Sequence, residues 1–245
     1  MKKFKSIKEL RKICQPKYEQ VKVNSYYRIY RRFFRIFSIY ITKFLLYFSI
    51  SANTISILGL ILGIIGSLYF SFSKFLFGSI VMQLWFLMDT LDGELARYYY
   101  SKNKQKDYLT KGEFLDLNSH HLVHSLAFIG LLLGLYNLTN NITMIYLGIA
   151  ALFALLLNEL INLNKIKVLF YDSINNKIKL KLDKIKKNKG LSKRLPFIYT
   201  FPSIINIIFV TALFNKVDIV LYFYGFTFPI IVLIKFIINN FIRKW

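Results

Sequence analysis

Six long apolar runs divide most of the chain, at 53–72, 75–98, 114–136, 142–163, 197–215 and 218–242. Each is close to the ~20 residues a helix needs to cross hydrocarbon, and each is bounded by polar positions. Short polar links join them, apart from one longer basic loop at 164–196. A further stretch, 26–49, is apolar but carries Arg28, Arg31, Arg32 and Arg35 at i, i+3, i+4 and i+7, with Tyr27, Tyr30, Phe34 and Phe37 largely on the other side. That pattern predicts a helix lying in the membrane interface, aromatics toward acyl chains and arginines toward headgroups. The expected fold class is all-α integral membrane, six transmembrane helices with an N-terminal interfacial amphipathic helix. The expected organisation is a cytoplasmic or interfacial segment, 1–50, followed by a six-helix membrane domain, 51–245.

Composition agrees with a bilayer as solvent. The 245 residues are 55% hydrophobic and 18% aromatic, more apolar surface than one soluble core can hide. Cys14 is the only cysteine, so no internal disulfide can form. Lysine and arginine number 34 against 12 acidic residues, an excess that in a soluble protein would point to nucleic acid. Here the distribution argues otherwise. Nearly all the basic residues fall in the first 52 residues, 97–113, 164–196 and the carboxyl terminus, whereas the three tight turns on the opposite side hold only Lys74 and Lys216. Positive residues remain cytoplasmic during insertion, so both termini are expected on the cytoplasmic side of a bacterial cytoplasmic membrane. Membrane lipid is the expected partner of the charge, and nucleic acid is not.

The second run is the informative one. Its uncharged part, Phe75 to Met88, is too short to cross alone, so the helix must continue through Asp89, Asp92 and Glu94. Acidic groups are costly there and are functional by default. On a helix Asp89, Asp92, Gly93 and Ala96 occupy i, i+3, i+4 and i+7, one stripe of two carboxylates and two small residues. Paired carboxylates suit a hard divalent cation, and Gly93 and Ala96 let a ligand lie against the backbone. Gly112, Asp116 and His120 repeat the logic on the third run, facing the first stripe. Arg97 is placed to meet a phosphate oxygen with its planar fork. Glu94 and Glu113 lie off the stripes and are expected to be solvated or lysine-paired. His121 is expected on the helix surface and His124 packed. Glu159, beside Asn158 and Asn162, is another buried-acid candidate, open to a functional role or to structural pairing, and Lys193 and Arg194 are candidate contacts for an acceptor phosphate or plain positive flanking.

The segments DTLDGELAR, 89–97, and GEFLDLNSH, 112–120, resemble the CDP-alcohol phosphatidyltransferase signature DxxDGxxAR…GxxxDxxxD. Seven of its eight positions match: Asp89, Asp92, Gly93, Ala96, Arg97, Gly112 and Asp116. SANTIS, 51–56, is similar to the motif opening that family's first membrane helix, with Ala52 where proline is usual. The resemblance implies an enzyme that moves a phosphate-bearing group from a CDP-linked donor to an alcohol acceptor and releases CMP. By the same resemblance Asp89, Asp92 and Asp116 hold one or two Mg²⁺ or Mn²⁺ ions. Gly93, Ala96 and Arg97, with Asn53 and Gly112, contact the donor, and a homodimer is the expected assembly; the charge-derived topology puts the site at the cytoplasmic face.

Two departures stand out. The spacer between Arg97 and Gly112, YYYSKNKQKDYLTK, is enlarged. His120 stands where the family has its fourth aspartate. As a neutral imidazole near pH 7 it can accept the acceptor's proton or ligate the metal, so His120 is open to both roles, to a share of catalysis with Asp116, or to neither. The residues alone also leave two rivals: a membrane prenyltransferase using an Mg²⁺-bound diphosphate, and a noncatalytic divalent-cation-binding membrane protein or transporter. A prenyltransferase would normally show two aspartate-rich loops without interleaved Gly and Ala, and a transporter favours polar groups near the midplane and repeated halves, whereas these acids cluster at one face.

Overall fold

The structure, a computed structural model, describes residues 6–16, 25–103, 107–175 and 197–242. Its elements are helices α1 (Ile7–Cys14), α2 (Ser25–Tyr47), α3 (Ala52–Ser71), α4 (Phe75–Asn103), α5 (Asp107–Thr139), α6 (Thr143–Asn175), α7 (Phe201–Leu213) and α8 (Asp218–Ile237). A 3₁₀ turn, Phe197–Tyr199, precedes α7, and a π-helical end, Ile238–Ile242, follows α8. Ser6 starts α1 with a reciprocal capping box: its hydroxyl accepts from the Glu9 amide, and Glu9 accepts from the Ser6 amide. Ser51 caps α3, its Oγ 3.1 Å from the Thr54 amide, which gives the first serine of SANTIS a plain structural role.

Among the described residues, five helical segments are long and apolar enough to span: Ala52–Ser71, Phe75–Lys102, Phe114–Thr139, Thr143–Asn164 and Asp218–Ile237. The expected sixth span at 197–215 is shorter. Thr200 separates the 3₁₀ turn from α7, Pro202 lacks the amide that would join them, and the apolar helix that remains is Phe201–Leu213. The spans leave outward faces such as Ile57, Leu58, Ile61, Ile65 and Leu68 on α3 exposed, as lipid-facing helices do. Ser73, Asn140 and Asn215 close the three tight interhelical turns with φ of 59°, 51° and 53°. This is the left-handed helix-ending geometry that asparagine tolerates better than most residues.

Small residues set the distances between α3, α4 and α5. A Cβ at Gly130 or Gly134 would overlap the carbonyl oxygens of Ser67 and Phe70, and one at Gly63 would overlap Val123. On the other flank a Cβ at Gly66 would stand 3.1 Å from Met82. Backbones therefore meet closely, which is how apolar helices gain packing energy where lipid offers no hydrophobic contrast. The main core continues through Trp85, Phe128, Phe201, Leu221, Tyr224 and Phe228 to α6, α7 and α8.

Helix α2 differs from its expected orientation. Phe33, Phe37, Tyr40, Phe44 and Tyr47 are exposed, but Arg35, Ser38 and Thr42 are buried, and the Phe34 ring packs 5.2 Å from that of Phe86. The helix is amphipathic with part of its polar stripe turned into the protein, because α4 offers polar partners there. The side chains of Tyr27, Arg28, Tyr30 and Arg31 lie outside the described residues. The enlarged spacer is mostly helix: α4 runs to Asn103 and α5 starts at Asp107.

Candidate active site

Helices α4 and α5 bring the two signature segments face to face. His120 Nε2 lies 2.9 Å from Asp89 Oδ1 on α4 and 3.2 Å from Asp116 Oδ1 one turn earlier on α5. One ligand atom from each of Asp89, Asp116 and His120 falls within 4.8 Å of the others, a spacing that can hold a metal ion. All three are partly accessible, with side-chain exposures of 21%, 37% and 28%. Trp85, one turn before Asp89, forms the floor: its ring lies 5.0 Å from that of His120 and 5.4 Å from Phe201 of α7.

Asp92 stands beside this group without joining it. It is buried and accepts a 2.7 Å hydrogen bond from Ser56 Oγ of α3. Ser56 was not among the expected site residues. The signal for it is its position one turn beyond Asn53, on the same side of α3. Asn53 meets Gly112: a Cβ there would lie 3.2 Å from Asn53 Oδ1, so glycine leaves room for the amide. The Arg97 side chain folds back over Gly93, with Nη1 at 3.2 Å from the position of a Cβ. Arg97 Nε donates a 2.6 Å hydrogen bond to the Cys14 carbonyl at the end of α1. Ala96 is partly buried and packs against the apolar cluster that holds Leu10, Cys14, Leu91 and Leu95.

The surrounding polar residues are sorted by the structure. Glu94, expected to be solvated or lysine-paired, is fully buried and accepts hydrogen bonds from Gln15 Nε2 at 2.7 Å, Ser38 Oγ at 2.6 Å and Thr42 Oγ1 at 2.6 Å. Glu159 on α6 is hydrogen-bonded to His121 Nδ1 and lies 3.4 Å from His124 Nδ1. His124 is packed as expected, its ring 3.7 Å from Phe201. His121 is not a free surface group but part of the Glu159 pair. Asn158 and Asn162 hold Lys235 of α8 at 2.5 and 2.8 Å, a buried lysine that its apolar sequence surroundings did not single out. The Glu113 side chain, Lys193 and Arg194 lie outside the described residues.

Carboxylates and an imidazole gathered between two spanning helices define an integral membrane protein with a metal-competent acidic site. Residues 49–183 match the family model for CDP-alcohol phosphatidyltransferase, and the chain belongs to that family. It is a membrane transferase of substituted phosphate groups, which decides for CDP-alcohol phosphotransfer over prenyl transfer or transport. Among solved structures, phosphatidylinositol phosphate synthase of Mycobacterium tuberculosis, with CDP-DAG bound, is similar in fold: TM-score 0.62 at 17% identity, over 82% of this chain and 92% of that one. No curated protein matches the chain.

Proposed function

We propose that the protein transfers a phosphatidyl or similar phosphate-bearing group from a CDP-linked lipid to an alcohol in phospholipid synthesis. The observation that carries this reading is the convergence of Asp89, Asp116 and His120 from two helices, at signature positions of the family. The CDP-DAG bound to the structurally similar synthase supports a lipid-linked donor.

Two carboxylates and an imidazole are a fitting donor set for Mg²⁺ or, with the nitrogen ligand, Mn²⁺. Asp89, Asp116 and His120 would hold the ion, with Asp92 available from the neighbouring turn. When bound, it neutralises charge on the donor diphosphate and makes CMP a better leaving group. The remaining work falls to side chains. The acceptor oxygen bonds to the donor phosphorus, the bridge to CMP breaks, and the hydroxyl proton passes to a base. His120 Nε2 points at the same space as the carboxylate oxygens, which supports ligand over base for this residue. Asp116, the most accessible of the three, takes the base role. Arg97 and Gly93 receive the diphosphate and Asn53 and Gly112 line the pocket. The site faces the cytoplasm of a bacterial membrane by the charge of its flanking links, and the working unit is a homodimer.

The test is CMP release by purified protein in lipid, across CDP-linked donors and alcohols, with and without divalent metal. Metal-dependent release of CMP from CDP-diacylglycerol is expected. Turnover that persists in chelator, or that uses only donors without cytidine, would sink the assignment.

A further inference from the structure

Helix α4 carries the acidic signature on one face and a second, differently built polar cluster on the other. Glu94, immediately after Gly93, has no exposed surface and is satisfied by Gln15, Ser38 and Thr42, three neutral donors from α2 and the end of α1. Among the described residues no cation pairs with it. A buried carboxylate is costly unless its lone pairs are met, so this arrangement depends on the three donors staying in place. Gln15 is the keystone: its Nε2 reaches Glu94 and, at 2.9 Å, the Arg35 carbonyl, tying α1, α2 and α4 together.

The same short segment touches the signature arginine. Cys14, next to Gln15, offers its carbonyl to Arg97 Nε at 2.6 Å. That bond holds the guanidinium with its two Nη groups over Gly93, a residue of the acidic stripe. The apolar side of α1 is seated as well, with Leu10 and Cys14 buried against Ile39, Leu91 and Leu95.

We infer that α1 and Gln15 are positioning elements of the donor site: by holding Glu94 and the Arg97 guanidinium, the docked N-terminal helix sets the orientation in which Arg97 meets the donor diphosphate. The inference rests on the donor role proposed above for Arg97. Because docking of α1 and binding of the donor both favour one arrangement of Arg97, each strengthens the other. The effect belongs to donor binding, because what α1 and Gln15 hold is Glu94 and Arg97 rather than the metal-competent group of Asp89, Asp116 and His120.

The test uses the full chain in lipid and two readouts. Cys14 is the only cysteine and is fully buried, so its rate of maleimide labelling reports docking without catalysis. Gln15→Ala is expected to speed labelling and to raise KM for CDP-diacylglycerol about tenfold, with kcat and the acceptor KM within about twofold, as loss of a hydrogen bond to a charged group predicts. Leu10→Asp, which undocks α1 by its apolar side, should give the same split. CDP-diacylglycerol with Mg²⁺ should slow labelling of the parent. An active variant with faster labelling and an unchanged donor KM overturns the inference alone. A parent that releases no CMP overturns the donor reading on which it rests.

Discussion

Two faces of one helix handle buried acid in opposite ways. On one, Asp89 and Asp116 are partly accessible and both lie within hydrogen-bond reach of one imidazole nitrogen, His120 Nε2. On the other, Glu94 is sealed and has a donor for each of three acceptor positions. A carboxylate whose partners are complete is part of the scaffold. A partly open pair of carboxylates gathered around an imidazole is spaced for a ligand that brings positive charge. The contrast argues for a ligand on the Asp89 face, and the way to sharpen it is to neutralise each face in turn.

The largest effect is expected at the first face. Asp89→Asn should lower metal-dependent CMP release by on the order of a thousandfold, comparable to removing a key charge-stabilising group from an active site. It should leave the fold intact, because it removes one of two carboxylates competing for His120. Thermal unfolding in lipid checks this. Saturating Mg²⁺ or Mn²⁺ should stabilise the parent by about 2.7 kcal/mol at a hundred times its Kd and leave Asp89→Asn unmoved. Equal metal stabilisation in both would dissolve the distinction between the faces.

Next comes the sealed face. Glu94→Leu removes the common acceptor and strands the Ser38 and Thr42 hydroxyls and the Gln15 amide, each costing about 1–3 kcal/mol when unmet. A loss of about 3 kcal/mol is expected after the hydroxyls turn to other acceptors. The metal Kd, read from the same unfolding curves as a function of metal, should stay within about twofold. A stable variant with weakened metal binding would make Glu94 part of the metal site.

These two faces were unequally legible. The Asp89 face was readable because acids in an apolar run are conspicuous and their helical spacing places them together. The partners of Glu94 lie 52, 56 and 79 residues away in sequence, so nothing local distinguished it from a solvated glutamate. For α2, periodicity revealed a stripe but not which neighbour it meets, and Arg35 went inward. The spans were readable from length and hydropathy, except where Thr200 and Pro202 shortened α7. Lys235 was hidden because Asn158 and Asn162, its partners, come from a different helix.

The smallest effect concerns His120, the residue that departs from the family. If Nε2 is a metal ligand, His120→Asp exchanges a nitrogen donor for an oxygen donor and leaves three carboxylates around the ion. The harder donor set favours Mg²⁺ over Mn²⁺. The expected change is a shift in the ratio of Mg²⁺-supported to Mn²⁺-supported turnover of about tenfold toward Mg²⁺, with maximal rate within about tenfold of the parent, read by CMP release in each metal. The pH profile separates the two roles. A base at this position would lose the inflection contributed by an imidazole when replaced by aspartate, so the acid limb of kcat/KM would move to lower pH. A ligand would change metal preference and leave that limb set by Asp116. A shifted limb with an unchanged metal ratio would return His120 to the acceptor's proton and remove it from the cage.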